Sequence, residues 1–160
     1  MDLRKSHGAN LRKGRVSIPG QIYVITAVTK NREPFFTDFF VARTLIRVLQ
    51  EHEGRGYAET LCFVVMPDHL HWLMQLGSSR ELESVVRSVK ALSSKRIGQR
   101  LWQKGFYDHA LRRDEDTKEI ARYIVANPLR AGLAARLNDY PHWDAVWLRS
   151  PVPRVIKRQA

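Results

Sequence analysis

A single cysteine, Cys62, stands among the 160 residues, so no internal disulfide can form and packing must hold the fold. It lies in the apolar run Leu61-Cys62-Phe63-Val64-Val65, where a buried, inert thiol is expected. No apolar run approaches the ~18–20 residues a membrane-crossing helix needs. No apolar stretch follows Met1-Asp2-Leu3-Arg4-Lys5 to serve as a secretory signal. The expectation is an intracellular protein with no membrane partner. Acidic residues are scarce too: 16 Asp and Glu stand against 27 Lys and Arg, a formal net charge of +11. That excess favours a polyanionic partner, nucleic acid before a membrane surface, although a merely soluble basic protein would share it.

What is present suffices for a core. Hydrophobic residues make up 44% of the chain, in the range of a folded domain rather than a disordered one. Residues 1–20 carry Arg4, Lys5, Arg12, Lys13 and Arg15 against one acid, Asp2, and read as a basic arm that orders on a phosphate backbone or stays solvated. Residues 21–147 read as one domain and 148–160 as a basic tail with Arg149, Arg154, Lys157 and Arg158.

Within the domain, Gln21–Thr29 is β-branched and aromatic and reads as a first strand. Asp38 is a plausible N-cap for a helix over Phe39–His52. Tyr57–Met66 and His69–Leu76 read as two strands joined by the turn dipeptide Pro67-Asp68. A second helix is expected over Glu81–Arg100, its polar side dominated by Arg87, Lys90, Lys95, Arg96 and Arg100. Trp102–Arg112 reads as a fourth strand. A third helix opens at Asp114–Asp116, where Asp116-Thr117-Lys118-Glu119 resembles a capping box, and Pro128 should end it. The order βαββαβ plus one helix predicts an α+β, ferredoxin-like antiparallel sheet with two helices on one face. The other face is left for the third helix or a ligand.

Two constellations could carry chemistry. On a strand, His69 and His71 project to one side while Leu70 and Trp72 project to the other. Two neutral imidazoles so placed can hold one divalent ion, and equally they can be a hydrogen-bonded pair with no metal. Tyr123 and Asn127 are four apart on the third helix and share a face. An amide oxygen suits Mg²⁺ or Mn²⁺, and a tyrosine can act as a nucleophile. The bland alternative is a core tyrosine and an asparagine serving as helix stop. Tyr107, beside His109, is a second candidate nucleophile; the shared face with Asn127 favours Tyr123. Asp68 could orient an imidazole or simply form the turn.

The stretches Arg15–Thr26 (RVSIPGQIYVIT), Met66–Leu73 (MPDHLHWL), Trp102–Arg112 (WQKGFYDHALR) and Tyr123–Gly132 (YIVANPLRAG) together resemble the REP-associated tyrosine transposases. These are relatives of the single-tyrosine HUH transposases of bacterial insertion sequences. The resemblance implies His69 and His71 as the HUH metal ligands, Asn127 as third ligand to Mg²⁺ or Mn²⁺, and Tyr123 as nucleophile. Relatives with tryptophan at the position of Tyr107 point there to packing or base stacking. It further implies cleavage and strand transfer on single-stranded, hairpin-forming DNA through a 5′-phosphotyrosine, in a bacterial, nucleoid-associated setting. DNA contacts are placed at Arg12, Lys13, Arg15, Arg87, Lys90 and Arg112. A monomer is preferred over a dimer. The competing function is a hairpin-binding module, kept for recognition of DNA or RNA, that no longer cuts.

Overall fold

The computed structural model describes residues 17–148. Strands form where β-branched and aromatic residues concentrate: β1 (Ile22–Val28), β2 (Ala58–Met66), β3 (His69–Leu76), β4 (Tyr107–Ala110) and β5 (Trp143–Ala145). They make one antiparallel sheet in the order β4-β1-β3-β2-β5. The first four strands with helices α1 (Phe39–Gly54) and α2 (Leu82–Ile97) are the expected ferredoxin-like unit. Helix α3 (Thr117–Val125) and the single turn α4 (Asn127–Arg130) follow β4.

The sheet is covered on both faces. On one, Ile25, Val65, Leu70, Trp72 and Met74 pack with Leu45, Leu49, Val85 and Val89 of α1 and α2. On the other, Val24, Cys62, Val64, Met66 and Leu73 pack with Ile120, Ala121, Ile124 and Val125 of α3. Cys62 is fully buried, as expected, and burial pushes its thiol up to about 12. Trp72 is buried with its indole N–H donating to Thr60 Oγ1 at 2.9 Å, which satisfies the one polar atom of that ring.

A bulge sets the sidedness of β2. Thr60 pairs with Met74 and Cys62 with Leu73, so Leu61 is the extra residue. Before it, even-numbered residues face α1 and α2; after it, Cys62, Val64 and Met66 face α3. A one-residue offset inverts every side chain beyond it.

Several boundaries differ from the sequence reading. The fourth strand is only Tyr107–Ala110; Trp102 meets Thr29 in an isolated bridge instead, under the pinning of Gln103 N to Val28 O. The short β5 carries no alternating pattern and forms because Val64 and Phe63 offer it an edge. Helix α3 stops at Val125, and Pro128, at the start of α4, initiates a new turn where its missing N–H is harmless. The N-caps fall where expected, Asp38 accepting from Val41 N and Asp116 from Lys118 N and Glu119 N.

The cap on α3 matters because that helix carries Tyr123. Replacing Asp116 with Ala removes the acceptor of two N-terminal amides and should cost about 1 kcal/mol. Urea unfolding of the variant should show a lower midpoint with an unchanged slope.

Candidate functional site

A cleft of about 710 Å³ opens where the β2–β3 turn meets the α3–α4 junction. His69, His71, Tyr123 and Asn127 all line it, with Asp68, Arg32 and Arg130. The four candidates from two distant stretches of sequence therefore share one site. Of the two occupants expected for that face, the third helix takes it: α3 packs there and both histidines are buried.

The histidine pair is built by β3. Residues 69 and 71 lie opposite Val28 and Thr26 of β1 and opposite Met66 and Val64 of β2. Their rings meet edge to face with centroids 4.7 Å apart. Each Nδ1 is held from outside the pair. His69 Nδ1 lies 2.7 Å from Asp68 Oδ1, and His71 Nδ1 lies 2.9 Å from Thr26 Oγ1, its cross-strand neighbour. Where Nδ1 carries the proton, the lone pair sits on Nε2 of both rings. That is the arrangement by which histidine ligands are oriented.

Asp68 works through both its backbone and its side chain. Its carbonyl accepts from Thr29 N and Thr29 Oγ1, which pins the two-residue turn, while Phe36 N donates to Pro67 O. Its carboxylate bridges His69 and Arg32, whose Nη1 donates to Oδ2 at 2.8 Å. Burial alone would raise the Asp68 carboxyl; hydrogen bonds from His69 and Arg32 outweigh it and hold the group below its ordinary range. Arg32 reaches this position from two successive left-handed residues, Asn31 (φ 54) and Arg32 (φ 52), a conformation costly for arginine and concentrated at functional sites.

The opposite wall comes from α3 and α4. Tyr123 is half-buried, and its ring is stacked by Arg130, whose guanidinium carbon lies 3.8 Å from the ring centroid. Arg130 Nη2 also donates to the Tyr123 carbonyl at 2.6 Å. Asn127 Nδ2 donates to Ile124 O at 3.1 Å, which assigns the amide nitrogen to the helix and leaves the amide oxygen as the atom that could serve as a ligand. Among the described residues no three His, Cys, Asp or Glu side chains are grouped to hold a metal. The imidazole pair and the Asn127 amide are among the side chains at the cleft that could hold one.

Tyr107 lines a smaller cavity of about 110 Å³ on the β4 side of the same histidines, with Thr26, Val28 and Arg32. Two tyrosines thus flank the pair. Of the basic residues singled out as DNA contacts, Arg87 and Lys90 line a separate groove between α2 and residues 100–106. Arg87 is salt-bridged to Glu83, and Lys90 Nζ donates to the carbonyls of Gln103 and Gly105, a structural use of that ammonium. Arg112 is exposed near Asp114 and Glu115. Arg12, Lys13 and Arg15 lie outside the described residues. Sequence reasoning missed Thr26, Arg32 and Arg130. Arg130 had one signal, a basic residue within the motif stretch Tyr123–Gly132.

The depressed Asp68 carboxyl carries a pH dependence. A carboxylate with a lowered folded-state pKa adds stability that is complete above its unfolded value near 4 and is lost as pH falls through the folded value. Wild type should lose stability relative to Asp68→Asn across that acid range, and the two should run parallel above about pH 6. Urea titrations from pH 7 downward check this.

The comparisons fit this geometry. Residues 17–127 match the model of the family described as Transposase IS200 like. A Haemophilus influenzae protein provisionally named a REP-associated tyrosine transposase is 27% identical over 141 residues, 77% of this chain and 78% of that protein. The Escherichia coli K12 REP-associated tyrosine transposase is 30% identical over 86 residues, 52% of each chain. A REP-associated tyrosine transposase solved bound to a REP hairpin superposes with a TM-score of 0.66 and 25% identity, over 81% of this chain and 79% of that one. The resemblance drawn from the motifs therefore holds. The chain belongs to the IS200-like transposase family.

Proposed function

We propose that the chain cleaves and rejoins single-stranded DNA at hairpin-forming sites, with Tyr123 as nucleophile and a divalent ion at His69, His71 and Asn127. The observation that carries this is the convergence of those four residues on one cleft. Family membership supports a DNA-processing enzyme, and the structural relative bound to a REP hairpin supports hairpin DNA as substrate. The charge of +11 suits that partner.

In this reading the Tyr123 phenolic oxygen attacks phosphorus. The phenolic proton is lost as the new P–O bond forms, the P–O3′ bond breaks, and the departing 3′-oxygen takes up a proton. The 5′-phosphate remains on the tyrosine, so the bond energy is conserved for a later 3′-OH to reverse the step. His69 and His71, oriented by Asp68 and Thr26, and the Asn127 oxygen would hold Mg²⁺ or Mn²⁺. Such an ion neutralises charge developing on the phosphate oxygens. We take the chain to act as a monomer.

End-labelled hairpin DNA incubated with the protein and Mn²⁺, then run on a denaturing gel, tests this. Wild type should give a protein-linked band on the fragment downstream of the cut, and EDTA should abolish it. Tyr123→Phe should lower adduct formation by at least about 10³-fold while hairpin binding persists, and Tyr107→Phe should keep the adduct. Cleavage with no protein-linked band would assign the attack to water, and binding with no cleavage would leave a recognition module.

A further inference from the structure

We propose that Arg130 and Arg32 form a two-arginine seat for the phosphodiester at which Tyr123 acts, and that Arg130 is also the positioning residue for the tyrosine ring. The inference rests on the cleavage reading above and names two residues that the motif resemblance gave no role.

Arg130 spans the break between α3 and α4. Its guanidinium carbon lies over the Tyr123 ring at 3.8 Å from the centroid while Nη2 donates to the carbonyl of the same residue. Ring and backbone of the tyrosine are thus gripped by one side chain from across Ala126, the residue at which helical geometry is interrupted. A tyrosine in a helix otherwise chooses between two common χ1 rotamers; the contact with Arg130 favours one. A lysine ammonium can also sit over a ring, but it lacks the planar fork that lets one arginine lie over the ring and donate to the carbonyl together.

Arg32 stands on the opposite wall beside the histidines, with its side chain half-exposed. A guanidinium has five N–H donors, and the bond from Nη1 to Asp68 engages one of them. Among the described residues lining the cleft, Asp68 is the one acid, and Arg32 answers its charge. Arg130 is then a second positive charge on the wall that carries the tyrosine. Two guanidinium groups facing a common space suit an anion whose oxygens accept forked hydrogen bonds, as phosphodiester oxygens do. The left-handed pair Asn31–Arg32 gives the same sense: strain is spent to bring an arginine to this wall.

The test separates placement from catalysis. Full-length protein labelled with 3-fluorotyrosine gives fluorine resonances, of which Tyr123 is assigned with Tyr123→Phe. Arg130→Ala should move the Tyr123 signal and leave that of Tyr107 in place. In single-turnover cleavage of the hairpin with Mn²⁺ at saturating protein, Arg130→Ala should form adduct about 100-fold more slowly. Arg130→Lys should regain less than about tenfold, because charge returns without the plane. Millimolar ethylguanidinium should restore part of the Arg130→Ala rate. Arg32→Ala should slow adduct formation with the Tyr123 signal unmoved, and the double variant should be slower than either. Arg130→Gln serves in place of the alanine variant should that one melt early. Adduct formation at the wild-type rate in Arg130→Ala, or an unmoved fluorine signal, overturns the inference while the cleavage reading stands. A wild type that makes no adduct on any hairpin overturns the cleavage reading and the phosphate seat together.

Discussion

The two-residue connection Pro67-Asp68 is the constraint on which the cleft depends. A turn this short leaves β2 and β3 no slack, so the position of His69 is decided by where the turn is fastened. It is fastened by its backbone, through Thr29 N and Oγ1 to Asp68 O and Phe36 N to Pro67 O. The Asp68 side chain then stays available to hold His69 and Arg32. One residue therefore links the end of β1, the hairpin and the first of the paired imidazoles. Removing the carboxylate would leave the turn standing and the ring less constrained, whereas removing the Thr29 contacts would move the whole corner.

The burial of the histidines follows from the same corner and from the Leu61 bulge. Without the extra residue, β2 would offer Phe63 and Val65 to α3 and the alternate set to α1 and α2. The bulge makes Val64 and Met66 the same-face neighbours of His71 and His69. Two imidazoles then sit among apolar side chains with their Nδ1 atoms held by Asp68 and Thr26. Neutral rings so held are the form that could hold a divalent ion.

The fold was legible where local chemistry agreed with tertiary packing. The strand pattern of IYVITAV, the Asp38 and Asp116 caps and the alternation around His69 each foretold their element. The bulge was not legible, because Leu61 lies inside a continuous apolar run that reads equally well in either register. Nor was β5, three residues whose pairing depends on an edge contributed by β2. At the site, spacing offered the histidine pair and Tyr123 with Asn127 only as candidates beside structural alternatives; the resemblance joined them, and the fold places all four at one cleft. Thr26 and Arg32 were not, since their roles arise from cross-strand register and a left-handed turn, which no spacing in the sequence encodes.

The two walls of the cleft are held by forces of different kinds. The histidines are fixed by directional bonds within the sheet, to Thr26 and Asp68. Tyr123 rides on α3, which is attached through Ile120, Ala121, Ile124 and Val125 to Val24, Val64 and Leu73. Apolar packing of that sort is strong in sum but does not specify direction. It sets how far α3 stands from the sheet and leaves the aim of any one side chain weakly determined. The nucleophile proposed above would have to be aimed closely, because misplacement by about 1 Å costs a large factor in rate. On the tyrosine side that aim falls to polar contacts at the end of the helix, where Asn127 holds Ile124 O and Arg130 holds the carbonyl and ring of Tyr123. Both residues belong to α4, the single turn that follows α3, so the chain just after the tyrosine supplies the contacts that hold it.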